Sequence, residues 1–125
     1  MKTAVAAATL ASFLFAGAAW AEPVVYTWTG LGVNVPGSSK CATYKMTIDV
    51  TVDGKSVKGI FLQEGRVQRH FETTLGKNGA IKTAATLGGG NMIDVIGVIS
   101  DTESKIKLDG YCKFEGPLTR KTRGS

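Results

Sequence analysis

The stretch YKMTIDVTVDG, residues 44–54, decides the fold class of this chain. From Tyr44 to Val52 every second side chain is apolar, while Lys, Thr and Asp fill the positions between them. This alternation predicts an antiparallel strand with one buried face. The dipeptide Asp53-Gly54 accepts the positive φ angles of a two-residue turn, and a β-rich run at 56–62 follows it. The stretch therefore predicts a β-hairpin.

The same alternation extends outward from this hairpin over most of the chain. Each junction between the runs contains Gly, Asn, Asp or Ser, the residues typical of hairpin connections. No run after residue 21 has the apolar period that predicts a helix. The predicted strands lie at 24–31, 44–52, 56–62, 66–75, 80–87, 92–99, 104–109 and 111–119.

Strands in this order predict an all-β fold, an antiparallel up-and-down meander of about eight strands. A chain of 125 residues, 43% of them hydrophobic, forms one small domain, and we expect a monomer. A meander of this length exposes long unpaired edges unless it closes. We therefore favour a small closed barrel. The alternative is a two-sheet β-sandwich built from the same strands.

The first 21 residues have the pattern of a secretory signal peptide. Lys2 precedes an apolar stretch, and small residues lead to AWA at 19–21, an A-x-A cleavage site. A membrane span is disfavoured, because Glu22 and a strand-like run follow at once and no other long apolar run exists. We predict a protein that is periplasmic or secreted and does not span the membrane. Its parts are a signal peptide at 1–21, one β-barrel-like domain at 22–119 and a basic tail at 120–125.

The excess of basic over acidic residues lies mostly in that tail. Lys and Arg outnumber Asp and Glu by 15 to 10, and Arg120, Lys121 and Arg123 supply much of the excess. The lysines of the predicted strands alternate with Asp and Thr, as on any solvated sheet. A nucleic-acid partner is therefore not expected. Arg120 is instead a candidate contact with an anionic envelope surface.

The chain has two cysteines, Cys41 and Cys112, and export would place them in an oxidising compartment. We predict that they form one disulfide. The bridge would close a loop of about 72 residues and, in the chain-entropy model, stabilise the fold by at most about 4.4 kcal/mol. A redox or metal pair is disfavoured, because the sequence has no CxxC motif and one His. We expect no metal and no cofactor.

His70 is the one histidine, and it has polar neighbours two residues away on either side, Gln68 and Glu72. A His beside a carboxylate can act as a general base, but no motif places a nucleophile near it. We interpret His70 as an exposed sheet residue. With no catalytic residue in prospect, the chain is not expected to be an enzyme.

Arg69 is unusual because the alternation puts it on the same strand face as Val67, Phe71 and Leu75. A guanidinium on an inward face needs a partner, such as an internal carboxylate or an acidic ligand. The alternative, which we favour, is that a bulge or strand end turns Arg69 outward. Arg69 is a candidate binding residue if it stays inward.

Two further features are candidate binding elements. Trp28 near the start of the domain either stacks on a ligand or plugs one end of the core, and we favour the plug. The segment GVNVPGSSK, residues 32–40, is the longest connection, and long loops often carry function. Its candidate contacts are Asn34 and Lys40.

The order of these features carries a resemblance to known proteins. The features are Trp28 with Gly30, Cys41, the Asp53-Gly54 turn with Gly59 beyond it, and YCKFEGPLTR at 111–120. This order resembles that of small exported β-proteins of alphaproteobacteria, which implies a periplasmic or secreted all-β domain and carries over no catalytic residue. Trp28 and the late Arg120 are also similar to features of the lipocalin and avidin group. In architecture the chain is similar to eight-stranded periplasmic protease inhibitors.

Three functions are compatible with the sequence. We favour a non-enzymatic exported binding protein whose loops contact an unknown protein or envelope component. The alternatives are an inhibitor of an exported hydrolase, acting through 22–25 or 32–40, and a carrier of a small ligand. The carrier would need an interior cavity that short strands with large inward side chains leave little room for.

Overall fold

Nine antiparallel strands form the part of the chain that the structure, a computed structural model, describes, residues 22–33 and 40–121. The predicted signal peptide, Asn34 and the last four residues of the predicted tail lie outside these ranges. Single 3₁₀ turns lie at Cys41–Thr43 and Lys77–Gly79. The strands are β1 (Val24–Leu31), β2 (Lys45–Asp53), β3 (Ser56–Gln63), β4 (Arg69–Thr74), β5 (Ala80–Gly88), β6 (Asn91–Ile99), β7 (Ser104–Asp109), β8 (Lys113–Pro117) and β9 (Thr119–Arg120).

The predicted all-β fold is confirmed, and so is the hairpin from which the prediction started. β2 and β3 pair antiparallel from Met46 opposite Gln63 to Asp53 opposite Ser56. Gly54 in the turn between them has a φ of 65°, a conformation in which glycine carries no steric penalty. The local signal in the sequence therefore predicted both strands. The turn itself lies one residue later than predicted: its two residues are Gly54 and Lys55, because Asp53 belongs to β2 and pairs with Ser56.

The strands divide into two sheets. The first has the order β4-β3-β2-β1-β9, and the second has the order β5-β6-β7-β8. The closed barrel that we favoured from the sequence is wrong, and the architecture is consistent with the alternative, a two-sheet sandwich. Hydrogen-bonded pairing stops between β4 and β5, so each of them is the edge of its own sheet.

The connection at 75–79 provides the physical reason for this break. The Leu75 N–H donates to the Lys55 carbonyl, which ends β4 against the first sheet (N···O 2.8 Å). The Gly76 N–H donates to the Ala80 carbonyl (2.8 Å), and the intervening 3₁₀ turn carries the chain into the second sheet. The backbone hydrogen bonds at this connection go to the β2–β3 turn and to the connection itself, without a ladder between β4 and β5.

On the opposite flank the chain itself crosses from one sheet to the other. β8 pairs with β7, the chain passes through buried Leu118, and β9 then pairs with β1. A single bridge also joins the sheets there, because the Val33 N–H donates to the Lys113 carbonyl (2.8 Å). The strand predicted at 111–119 is therefore two short strands that belong to different sheets.

The core lies between the sheets and is built from the inward positions of both. The predicted disulfide is present: Cys41 and Cys112 are bonded, with their Cα atoms 5.5 Å apart, and both are buried. It ties the connection after β1 to the start of β8. The largest fully buried side chains are Ile48, Val50, Val57, Ile81, Val95, Ile106 and Leu108.

Two strand glycines allow the largest inward rings to fit between the sheets. A Cβ at Gly116 in β8 would overlap the Trp28 indole, which extends across from β1. A Cβ at Gly59 would overlap the ring of Phe71 on the neighbouring strand. Trp28 is partly buried and packs against the core. Glycine at these two positions makes the close approach possible.

Candidate functional site

The candidate site is a cleft at one end of the sandwich, here called the loop end. The odd-numbered strands β1, β3, β5 and β7 end there, and the even-numbered strands from β2 to β8 begin there. The cleft has a volume of about 280 Å³ and opens between the two sheets. The residues that line it are Tyr44, Met46, Phe61, Gln63, Arg66, Val67, Arg69, Leu87, Asn91, Ile93, Tyr111, Cys112 and Phe114.

The floor of the cleft is apolar and buried. Met46, Phe61, Ile93 and Phe114 are the outermost core residues of their strands, and each has a buried side chain. Cys112 adds the disulfide at one side of the floor. The floor is therefore the end of the buried core that borders the cleft.

The rim of the cleft carries large apolar side chains exposed to solvent. Val67 is 69% exposed and Tyr111 is 72% exposed. Exposed apolar groups that surround an apolar depression are characteristic of interaction sites.

Arg69 lies inside this cleft and faces inward. Trp28, Ile48, Phe61 and Arg69 are direct partners across four neighbouring strands, and such partners share one sheet face. The outward orientation that we favoured from the sequence is therefore wrong. Arg69 is the first residue of β4, and at a strand end a long side chain on the inward face reaches the cleft instead of the sealed core.

The guanidinium of Arg69 extends to the far sheet. Its Nη2 atom lies 3.2 Å from the position that a Cβ would take at Gly88, the last residue of β5. Arg69 is half-buried. Within residues 22–33 and 40–121 its side chain makes no hydrogen bond and no ion pair. A cation in this position is available to a molecule that enters the cleft.

The cleft is positively charged. Among the residues that the structure describes, Arg66 and Arg69 are the charged ones that line it, and none of the lining residues is Asp or Glu. Tyr44, Gln63, Asn91 and Tyr111 add hydroxyl and amide groups to the lining. The arrangement combines an apolar floor, several uncharged donors and two cations.

The other sequence candidates lie elsewhere or outside the described residues. Lys40 is exposed next to buried Cys41 at the loop end but does not line the cleft. Arg120 is exposed in β9 opposite Tyr26. Trp28 packs on Gly116 and is not a lining residue. Asn34 lies outside the described residues. Of the four candidates that the structure describes, Arg69 is the one that lines the cleft.

Most of the cleft residues were missed from the sequence. Arg66 and Val67 were read as parts of one long strand, but they lie in the connection before β4. Tyr111 was likewise placed inside a strand. One signal was present: Val67, an apolar residue beside Arg66 and Gln68, is two residues after the turn glycine Gly65.

No other chemical centre is evident in the described ranges. In the described ranges, no group of three or more His, Cys, Asp or Glu side chains is placed so that it could hold a metal ion. His70 is exposed, as we interpreted it. None of the helical segments described has the length and apolar character needed to cross a membrane.

Comparisons with protein-family models, with curated proteins and with solved structures find no match for this chain.

Proposed function

We propose that this protein is an exported, non-enzymatic binding protein that holds an apolar group of a partner molecule in the loop-end cleft. The observation that carries the proposal is the continuity from the buried floor at Phe61 and Phe114 to the exposed rim at Val67 and Tyr111. Ligand sites are typically concave and mostly apolar, with a few polar groups that fix orientation. The cleft has this composition.

Export is supported by two independent features. The disulfide between Cys41 and Cys112 is of the kind that persists in oxidising compartments. The pattern at 1–21 is that of a signal peptide. A periplasmic or secreted location is therefore part of the proposal.

The size of the cleft limits what it holds. Sites for drug-sized molecules occupy about 300–1,000 Å³, so a cleft of about 280 Å³ fits a single side chain or one small molecule. The interior beyond the floor is filled by the core side chains, among them Ile48 and Leu108. A small-ligand carrier is the second candidate function, and the cleft, not an internal cavity, would be its site.

Site-specific photo-crosslinking tests the proposal in cells that export the protein. A benzophenone amino acid replaces Val67 at the rim in one variant and Ile60 in a control. Ile60 is an exposed apolar residue on the outer face of β3. We expect one discrete adduct from position 67 and none from position 60. Equal labelling at both positions, or no adduct at 67, would overturn the proposal.

A further inference from the structure

We infer that the group held in the cleft is the apolar part of a small amphipathic carboxylic acid, whose carboxylate binds Arg69. This inference rests on the proposed function and specifies the chemistry of its ligand. It follows from the state of the Arg69 side chain, from the glycine opposite it and from the distribution of charge and apolar surface around both.

The state of Arg69 is the first argument. Its guanidinium is half-buried, faces the inter-sheet space and has no hydrogen-bond or ion-pair partner in the described residues. Taking a charge out of water without a partner is unfavourable. A carboxylate would satisfy the guanidinium, because its two oxygens match the planar fork of nitrogen donors.

Gly88 provides the second argument. It has a φ of 94°, and the guanidinium lies closer to it than an added Cβ would comfortably permit. Any larger residue at position 88 would be strained and would press on Arg69. The glycine therefore leaves the guanidinium room to approach the second sheet.

The lining of the cleft provides the third argument. Its charged residues are both arginines, so the electrostatic potential favours an anion. Its floor is apolar and favours an uncharged tail. Because the cleft has a volume of about 280 Å³, the tail must be short. A short-chain acid satisfies all three conditions, whereas a neutral alcohol satisfies only the last two.

Three probes that share an apolar tail test the inference: octanoate, n-octanol and octylammonium. Each is titrated into the disulfide-bonded mature protein, and binding is followed by the amide NMR shifts of the cleft residues. We expect saturable shifts with octanoate, at least about tenfold weaker binding of n-octanol, and no binding of octylammonium.

Two variants locate the charge recognition. In R69Q we expect octanoate to bind no more tightly than n-octanol, with the n-octanol affinity unchanged. R120Q is the matched control, because Arg120 is exposed in β9 and does not line the cleft, and we expect its octanoate affinity to be unchanged. R69K keeps the charge without the planar fork, and we expect intermediate affinity. Near-identical amide spectra show that each variant is folded.

The outcomes separate the inference from the function on which it rests. Equal affinities for octanoate and n-octanol would overturn the inference and leave the apolar cleft as a binding site. An absence of binding by every probe would count against both. Unchanged octanoate affinity in folded R69Q, or an equal loss in R120Q, would overturn the assignment to Arg69.

Discussion

The two ends of this sandwich are built from the same strands but differ in their connections. At the end opposite the cleft, β2 and β3 are joined by a two-residue turn, and the turn before β7 is closed by its own hydrogen bonds. There the Ser100 Oγ accepts from the N–H groups of Thr102 and Glu103 at 3.3 and 3.2 Å. The loop end instead has the long connection 32–44, and the cleft opens there among Tyr44, Arg66 and Tyr111, which lie in or beside its connections.

The comparison also shows what each end depends on. The tight turns of the opposite end need only local hydrogen bonds and residues such as Gly54, whose φ is positive. The loop end differs in that it carries a covalent tie. The disulfide supplies that tie between the segment after β1 and the start of β8. Three changes test this difference, from the largest expected effect to the smallest.

Reduction of the disulfide should have the largest effect. The variant C41S/C112S is expected to lose about 2–4 kcal/mol of unfolding free energy, because the unfolded chain regains the freedom that the bridge removes. Urea unfolding of the variant and the oxidised protein measures this loss. Hydrogen exchange should rise most at 110–114 and least in the turn at 100–103. A uniform rise at both ends would contradict the proposed difference between them.

Gly116→Ala should have the next largest effect, because the new Cβ would overlap the Trp28 indole. Overpacking of this kind costs about 1–3 kcal/mol. Thermal or urea unfolding measures the loss, and the variant G116A/W28F is the control. A smaller ring at position 28 should recover part of the stability. Without such recovery, the loss would have to come from the β8 backbone and not from contact with Trp28.

Gly88→Ala should have the smallest effect on stability but a specific effect on binding. Gly88 at the loop end and Gly54 at the opposite end both have positive φ, so alanine at either should cost roughly 1–2 kcal/mol. Only Gly88 has the Arg69 guanidinium beside it, whereas nothing lies within 4 Å of a Cβ at Gly54. We expect G88A to weaken octanoate binding and G54A to leave it unchanged. A matched loss in both variants would remove the special role of Gly88.

The strands were predictable because their signals are local. Alternation and turn glycines gave the bounds of β1 and β7 as the structure has them, and those of β5 within one residue. The pairing of distant strands has no such local signal. Whether β4 pairs with β5 depends on how the connection at 75–79 is hydrogen-bonded. In the same way, the chain leaves β8 at Leu118 and continues as β9, which pairs with β1.

The site was less predictable than the strands, and Arg69 shows why. Alternation placed it correctly on the inward face with Phe71, but the cost of burying a guanidinium argued for an outward turn. The missing information was the position of Arg69 at the first residue of β4, where the cleft replaces the core. The cleft itself is formed by Tyr44, Arg66 and Tyr111, which lie in or beside separate connections and meet only in the folded protein.

The pairing of β1 with β9 has a mechanical consequence. The two ends of the domain lie side by side, since the Lys121 N–H donates to the Val25 carbonyl (2.8 Å). A force applied to both ends would open the β1–β9 pair one hydrogen bond at a time, at low load. Extension would then stop at the disulfide, because the chain between Cys41 and Cys112 is shielded. Only the residues outside the bridge would lengthen, by about 100 Å in total at about 3.3–3.6 Å per residue.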